Sequence, residues 1–326
     1  NFDWYIKKTK DWLVQAPIQA VWGLTAPFVN GGDVENKGFE LGLNWNDRIG
    51  KDFSYGAAFN IAYNKNEITR IANSEGIIHG PSAVLNGTAG EIFRAEVGQP
   101  IGYFYGYKTD GIFQNQDQIN AWTAKYTDTL HGTITPGDVI FVDTNNDGII
   151  DAADKTNIGD PHPDVNIGFN LHAEYKGFDF AISGAGAFGQ QIVRTWDNNE
   201  SSITNLNKKI LYGSWKGEGT SNFLPKLNTM VDPNWVNFSE IWVEDADYVK
   251  IQNVTLGYDF KRIWKACPLS QLRLYVSAQN LFTFTGYSGM DPENGSDGDT
   301  VGWASGIDNG FYPSPRTYLV GLNIKF

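Results

Sequence analysis

Twelve consecutive residues, Asp143-Thr144-Asn145-Asn146-Asp147-Gly148-Ile149-Ile150-Asp151-Ala152-Ala153-Asp154, place oxygen-bearing side chains at the first, third and fifth positions and glycine at the sixth. That is the spacing of an EF-hand-type calcium loop. Asp143, Asn145 and Asp147 would offer side-chain oxygens and Ile149 its backbone carbonyl. Asp151 would act directly or through water, and Asp154 closes the ring where the pattern has Glu. Carboxylates this dense repel one another unless a cation neutralises them, so Ca2+ is the expected cofactor. The competing reading is an Asx-rich turn with solvated carboxylates. Asp at the last position is shorter than Glu, so monodentate contact and modest affinity are expected. The flanks do not read as two amphipathic helices, so the ion's expected role is structural.

Other chemistry is hard to find. His79, His131, His162 and His172 are scattered without metal-ligand spacing, and surface or lumen roles are expected of them. There is no GxSxG, no P-loop and no glycine fingerprint between strand and helix. Glu244, Asp245 and Asp247 resemble a hydrolase carboxylate set, but adjacent acids at a strand start are more simply solvated. No enzyme is expected. Cys267 is the single cysteine, which excludes an internal disulfide and reads as a buried small hydrophobe near a turn. Net charge is -12, from 37 acidic against 25 basic residues. With no basic run to track phosphates, nucleic acid is not an expected partner. Trp196, Trp215, Trp235, Trp242 and Trp303 stand between the strands. They suit sugar stacking, loop cores or a protein interface equally well.

The elements that carry these residues show in a strict period of two, which sends successive side chains to opposite faces of a strand. Phe53, Tyr55, Ala57, Phe59, Ile61 and Tyr63 oppose Ser54, Gly56, Ala58, Asn60, Ala62 and Asn64. Val165 to Tyr175, Phe178 to Phe188, Phe39 to Trp45, Leu272 to Ala278 and Tyr318 to Phe326 repeat the pattern. Tyr248 to Phe260 changes phase near Asn253, as one extra residue in a β-bulge would cause. Phe2 to Leu13 alternates poorly, and Lys7, Lys8 and Lys10 suggest that it runs beyond a membrane.

A soluble sandwich also alternates, but these runs reach the length that crosses a bilayer, about 9–11 tilted residues. Aromatics close the apolar stripes as membrane-interface girdles do, and the other face is rich in Gly, Ser and Asn, as a wet lumen allows. Mean hydropathy is -0.34, and no apolar run is long enough for a transmembrane helix. Connections alternate as well. Those near 16–36, 65–164, 190–245 and 282–315 are long. Those at 48–52, 176–177 and 261–270 are short, as the periplasmic turns of outer-membrane barrels are. The expected fold is therefore all-β: about eight antiparallel strands of a transmembrane barrel in the outer membrane. Residues 65–164 would form a long extracellular loop region holding the calcium-type loop at 143–154. The first residue is Asn1 and no signal peptide precedes Phe2, which suits processing or the loss of a larger N-terminal part.

An ordered set of motifs adds a resemblance. Glu35-Asn36-Lys37-Gly38-Phe39-Glu40, Tyr63-Asn64-Lys65-Asn66, Gly98-Gln99-Pro100-Ile101-Gly102, Pro136-Gly137-Asp138-Val139 leading into the Asp143 loop, Ile158-Gly159-Asp160-Pro161 and Ser277-Ala278-Gln279-Asn280-Leu281 run along the whole chain. Together they resemble the SusC/RagA-like TonB-linked outer-membrane proteins of Bacteroidetes. The resemblance implies the C-terminal part of a TonB-dependent receptor: a 22-stranded barrel closed by an N-terminal plug. A SusD-like lipoprotein would cap it, and it would import oligosaccharide or peptide by way of the TonB complex. Phe326 matches the terminal aromatic taken as the family's barrel-assembly signal. Plug and Ton box are missing from these residues. The rival readings are a stand-alone eight-stranded barrel acting as an adhesin or structural protein, and a surface glycan hydrolase. Strands Phe2 to Leu13 and Arg316 to Phe326 are expected to pair with strands outside the chain, since open edges are costly in lipid.

Overall fold

The computed structural model describes residues 1–15, 28–80, 85, 89–195, 206–228, 232–293, 303 and 305–326. Trp196 lies outside them. Eight antiparallel strands form one meandering sheet: β1 (Phe2–Gln15), β2 (Phe28–Ile49), β3 (Phe53–Ile71), β4 (Val165–Tyr175), β5 (Phe178–Phe188), β6 (Tyr248–Asp259), β7 (Gln271–Thr285) and β8 (Thr317–Lys325). Each strand pairs with its chain neighbour. β1 and β8 are the two edges and do not pair with each other, so the eight strands do not close into the small barrel of the rival reading.

Register explains why the sheet has one apolar face. Leu41 faces Ile61, which faces Ile167. Phe39, Tyr63 and Val165 align in the same way. Farther along, Ala173 meets Phe180, Phe180 meets Leu256, Leu256 meets Val276 and Val276 meets Val320. A slip of one residue in any strand would turn its whole apolar set to the other side. Trp4, Trp45, Phe178, Val320 and Leu322 are all exposed although large and apolar. Such a face is at home only in lipid.

The phase change in β6 is a bulge. Asn253 pairs with Ser183 and Gln279, Ile251 pairs with Gly184 and Phe282, and Gln252 is skipped on both sides. The bulge keeps Val249 and Ile251 on the lipid side with Val254. β1 pairs regularly from Phe2 to Thr9 and has register shifts between Thr9 and Leu13, next to Asp11 at φ 56°. The turn Lys176–Gly177 has both residues at positive φ, 47° and 93°, as a two-residue type I′ hairpin requires. In the turn after β6, Cys267 is buried and its carbonyl accepts from Lys261 Nζ at 2.6 Å.

The three long connections that follow β3, β5 and β7 are not loose. β3 runs on to Ile71, so the first of them begins later than alternation suggested. It then folds into a four-stranded sheet of Ile77–His79, Phe93–Glu96, Tyr103–Gly106 and Thr156–Gly159. A helix α1 (Gln116–Thr123) follows the Asn115 cap, whose side chain accepts from Gln118 N at 3.0 Å. In the second connection Gln191–Arg194 pairs with Val243–Asp245, and Ile307–Asp308 of the third lies parallel to it. One apolar core joins all three: Phe93, Phe104 and Phe141 meet Val193, Trp235, Phe238 and Trp242, with Ile307 from the last. These segments form a second folded body on the long-loop side of the wall.

Candidate functional site, a polar wall beneath a folded cap

The face of the sheet opposite the lipid stripe carries short polar and small residues, and register sorts them. Asn60 lies between Gly42 and Gly168, Asn170 between Ala58 and Ser183, and His172 between Gly56 and Ala181. Each longer polar side chain thus lies over a neighbour that leaves room. A Cβ at Gly56 would stand 2.2 Å from Asn46 Oδ1 and 2.3 Å from His172 Cε1. The wall's groups also bond to one another: Thr255 Oγ1 and Ser277 Oγ are 2.9 Å apart, and Ser277 Oγ donates to Asn253 Oδ1 at 2.8 Å. The result is a wettable, uncrowded surface.

Charges gather at its two ends. On the short-turn side Asp179 takes Arg273, with Nε donating at 2.7 Å, beside Arg48, Glu174 and Asp259 around a cavity of about 440 Å³. On the cap side Lys250 of β6 is buried against Asp291 and Glu293. Asp291 also accepts from Ser314 N at 3.1 Å and from Glu293 N at 3.1 Å. This network pins the third connection to the wall. Glu244 acts similarly: it is 2.7 Å from Arg194 Nε, pairs with Lys209 and accepts from Ser288 N at 3.0 Å. Burial would raise its carboxyl, but Arg194, Lys209 and Ser288 hold it below the usual range. The acids suspected of hydrolase chemistry therefore include one fixed in structural ion pairs.

A polar knot lies inside the cap. His131 Nδ1 is 2.7 Å from Asp128 Oδ2, and its Nε2 is 3.1 Å from Asn234 Oδ1. That oxygen also accepts from Val139 N at 2.7 Å, while Asn234 Nδ2 donates to Asp138 and Asp232 at 2.8 and 2.7 Å. The amide orientation is thereby fixed, and both ring nitrogens of His131 face acceptors. Only the imidazolium donates from both nitrogens. Burial pushes His131 down, yet the Asp128 hydrogen bond and charge outweigh it and lift its pKa above the ordinary value.

Of the tryptophans, Trp235 and Trp242 are buried in the cap core, edge to face at 5.6 Å, and Trp215 and Trp303 pack against that core. The loop-core reading holds for these four. The Asp143 loop turns at Gly148 through local hydrogen bonds. Asp143 accepts from Asn146 N at 2.7 Å and Gly148 N at 2.8 Å, with Gly148 at φ 83°. Asp154 is fully buried and accepts from Thr144 N at 2.8 Å and Asp151 N at 3.0 Å. Asn145 Oδ1 and Asp147 Oδ1 each accept from the backbone two residues on. Amide donors thus already serve the loop's oxygens, and among the described residues no three His, Cys, Asp or Glu converge on one point to hold a metal. Phe326, past the end of β8, is 95% exposed, and its carbonyl accepts from Ser270 Oγ at 3.0 Å.

Sequence reasoning missed Lys250, Arg194, His131 and Asn234. A signal existed for two of them. Lys250 is the one basic residue of its spanning strand and stands beside a phase change, and Asp232-Pro233 before Asn234 is a helix-start signature.

An antiparallel sheet with a lipid-exposed apolar face, a polar inner face, short turns on one side and folded loops on the other defines the wall of an outer-membrane β-barrel. Known proteins specify the class further. The whole chain is 31% identical to TonB-dependent receptor P3 of Formosa agariphila and covers 32% of it. Against TonB-dependent receptor SusC of Bacteroides thetaiotaomicron identity is 27%, with 100% of this chain and 30% of that protein covered. The RagAB peptide transporter structure superposes with a TM-score of 0.74 at 23% identity, covering 100% of this chain and 33% of that one. No protein-family model matches the chain. Along its whole length the chain is similar to TonB-dependent receptors of the outer membrane, and it spans about a third of the length of the relatives it matches.

Proposed function

We propose that the protein containing this chain imports a nutrient, an oligosaccharide or a peptide, across the outer membrane. The TonB complex would drive it through a plug, and a SusD-like lipoprotein would cover the cap. The observation that carries the reading is the inner face of β2–β7: Asn, Ser and Thr set among Gly and Ala, with Tyr275 as a large aromatic side chain lying over Gly257 and Gly321. The receptor and transporter names of the relatives supply the direction of use. Trp235 and Trp242 are buried in the cap core and offer no sugar platform, so they do not favour glycan over peptide. The test is growth of a deletion strain on single oligosaccharides or peptides, with and without the restored gene and with a protonophore. Growth unaffected by the deletion on every substrate tested ends the reading, and co-purification of a surface lipoprotein checks the partner.

Within the cap, we propose that Asp143, Asn145, Asp147, Ile149, Asp151 and Asp154 take one Ca2+ in a structural role. Their spacing and the turn at Gly148 support it. With Asp154 already holding two backbone amides, affinity would be modest. Calorimetric titration with Ca2+ after chelation should show one site that Asp143→Ala abolishes. Heat identical to that of the variant would leave an Asx-rich turn alone.

A further inference from the structure

Where β1, β2 and β3 leave the bilayer on the cap side, their lipid face changes character within two residues. Trp4, Phe39 and Tyr63 lie side by side in register, and the rings of Phe39 and Tyr63 stack at 5.7 Å. Such a row marks the interface of the membrane. One step outward, about 7 Å along the strands, Lys37 and Lys65 stand directly opposite each other. Like charges so placed are destabilising unless something neutralises them. Glu35 lies a further step out, its side chain only 10% exposed. It is occupied by Lys8 at 2.9 Å and by Lys37. Lys65 makes no ion pair among the described residues, and Glu67 is its neighbour one step farther from the bilayer. A concavity of about 420 Å³ opens here, floored by Trp4, Phe39 and Tyr63, with Lys37 and Lys65 nearest the aromatic row and Glu35 and Glu67 on its outer rim.

We propose that this rim holds a phosphate-bearing lipid of the outer leaflet, with Lys37 and Lys65 on the phosphate and Trp4, Phe39 and Tyr63 against the start of its acyl chains. Height and chemistry agree. Ammoniums one strand step above an aromatic girdle lie at headgroup level, where basic residues attract lipid phosphates, and a phosphate between Lys37 and Lys65 removes their mutual repulsion. The inference rests on the barrel's place in the membrane and not on what the barrel transports.

Native mass spectrometry of the full-length protein in mild detergent tests it, with bis-phosphorylated lipid A as probe and its dephosphorylated form as control. One phosphorylated lipid should be retained per chain, at least tenfold more tightly than the control, and millimolar inorganic phosphate should not displace it. The double variant K37Q/K65Q should lose that tenfold preference, whereas K176Q, at the opposite turn, should keep it. Equal retention of both lipids, displacement by inorganic phosphate, or an unchanged preference in K37Q/K65Q overturns the proposal. If the double variant fails to assemble, the two lipids on the unaltered protein decide alone.

Discussion

Removing His131 should loosen the junction between the first and second long connections, and the size of the effect follows from its surroundings. The side chains of His131 and Asp128 are 2% and 5% exposed and meet at 2.7 Å. His131→Ala leaves the Asp128 carboxylate buried without its cation, and leaves Asn234 Oδ1 with Val139 N alone. Breaking a buried pair from one side costs about 3–5 kcal/mol, so local opening should become roughly 100- to 1,000-fold or more frequent. The pH dependence has a defined sign. His131 is raised above its ordinary 6.5, so its contribution is complete below that value and is lost as pH climbs through the higher native one. For Asp128, burial acts to raise the carboxyl but the His131 hydrogen bond prevails and lowers it. Its share is present above the ordinary 3.8 and is lost as pH falls through the lower native value. The knot should be tightest between about pH 4 and 6.5. Asp138, lowered by Asn234 and Lys226 against its burial, faces the same knot and adds to the loosening on the acid side, whereas Asp232, raised by burial, acts in the opposite sense and favours the folded knot as pH falls. Hydrogen exchange of residues 128–141 and 232–236, corrected for intrinsic rates, reads this directly. Protection that is equal in the variant, or that grows from pH 6 to 9, would refute the imidazolium assignment.

Trp242→Ala should cost about 3–5 kcal/mol by emptying the centre of the cap core. The loss should appear as fluorescence and exchange changes in the cap, with the heat-modifiable gel shift of the barrel retained. Deleting Gln252 should remove the bulge and force half of β6 out of phase, and folded protein recovered from outer membranes should fall steeply; normal yield would show that the bulge is dispensable. Gly38→Ala would set a Cβ 2.1 Å from the Tyr63 carbonyl oxygen and 2.6 Å from Tyr5 Oη, so β2 and β3 must part. A drop of about 1–3 kcal/mol in urea stability is expected.

Much of the wall was legible because a membrane strand is written twice, once on each face. β4 and β5 stand where alternation placed them, and the bulge in β6 falls one residue from the phase change near Asn253. β2 and β3 run well past the alternating stretches that announced them, since their outer halves leave the lipid and carry Lys, Glu and Asn on both faces. The cap was not legible. Its strands are two to four residues long, too short to show a period, and its core draws on residues far apart in sequence: Thr109 and Glu240, or His131 and Asn234. His131 looked solvated because nothing near it in sequence reveals Asn234, and the tryptophans were undecided for the same reason. The turn at Gly148 was legible because its hydrogen bonds are local.

The apolar core that the three connections share has an evolutionary consequence. Phe104, Trp242 and Ile307 come from three connections that emerge between different pairs of strands, yet each completes the packing of the others. A new outer loop cannot be grafted in alone, as it can between framework strands whose loops stand apart. Diversification in such a wall must proceed by changes on the cap's skin, or by exchange of all three connections together.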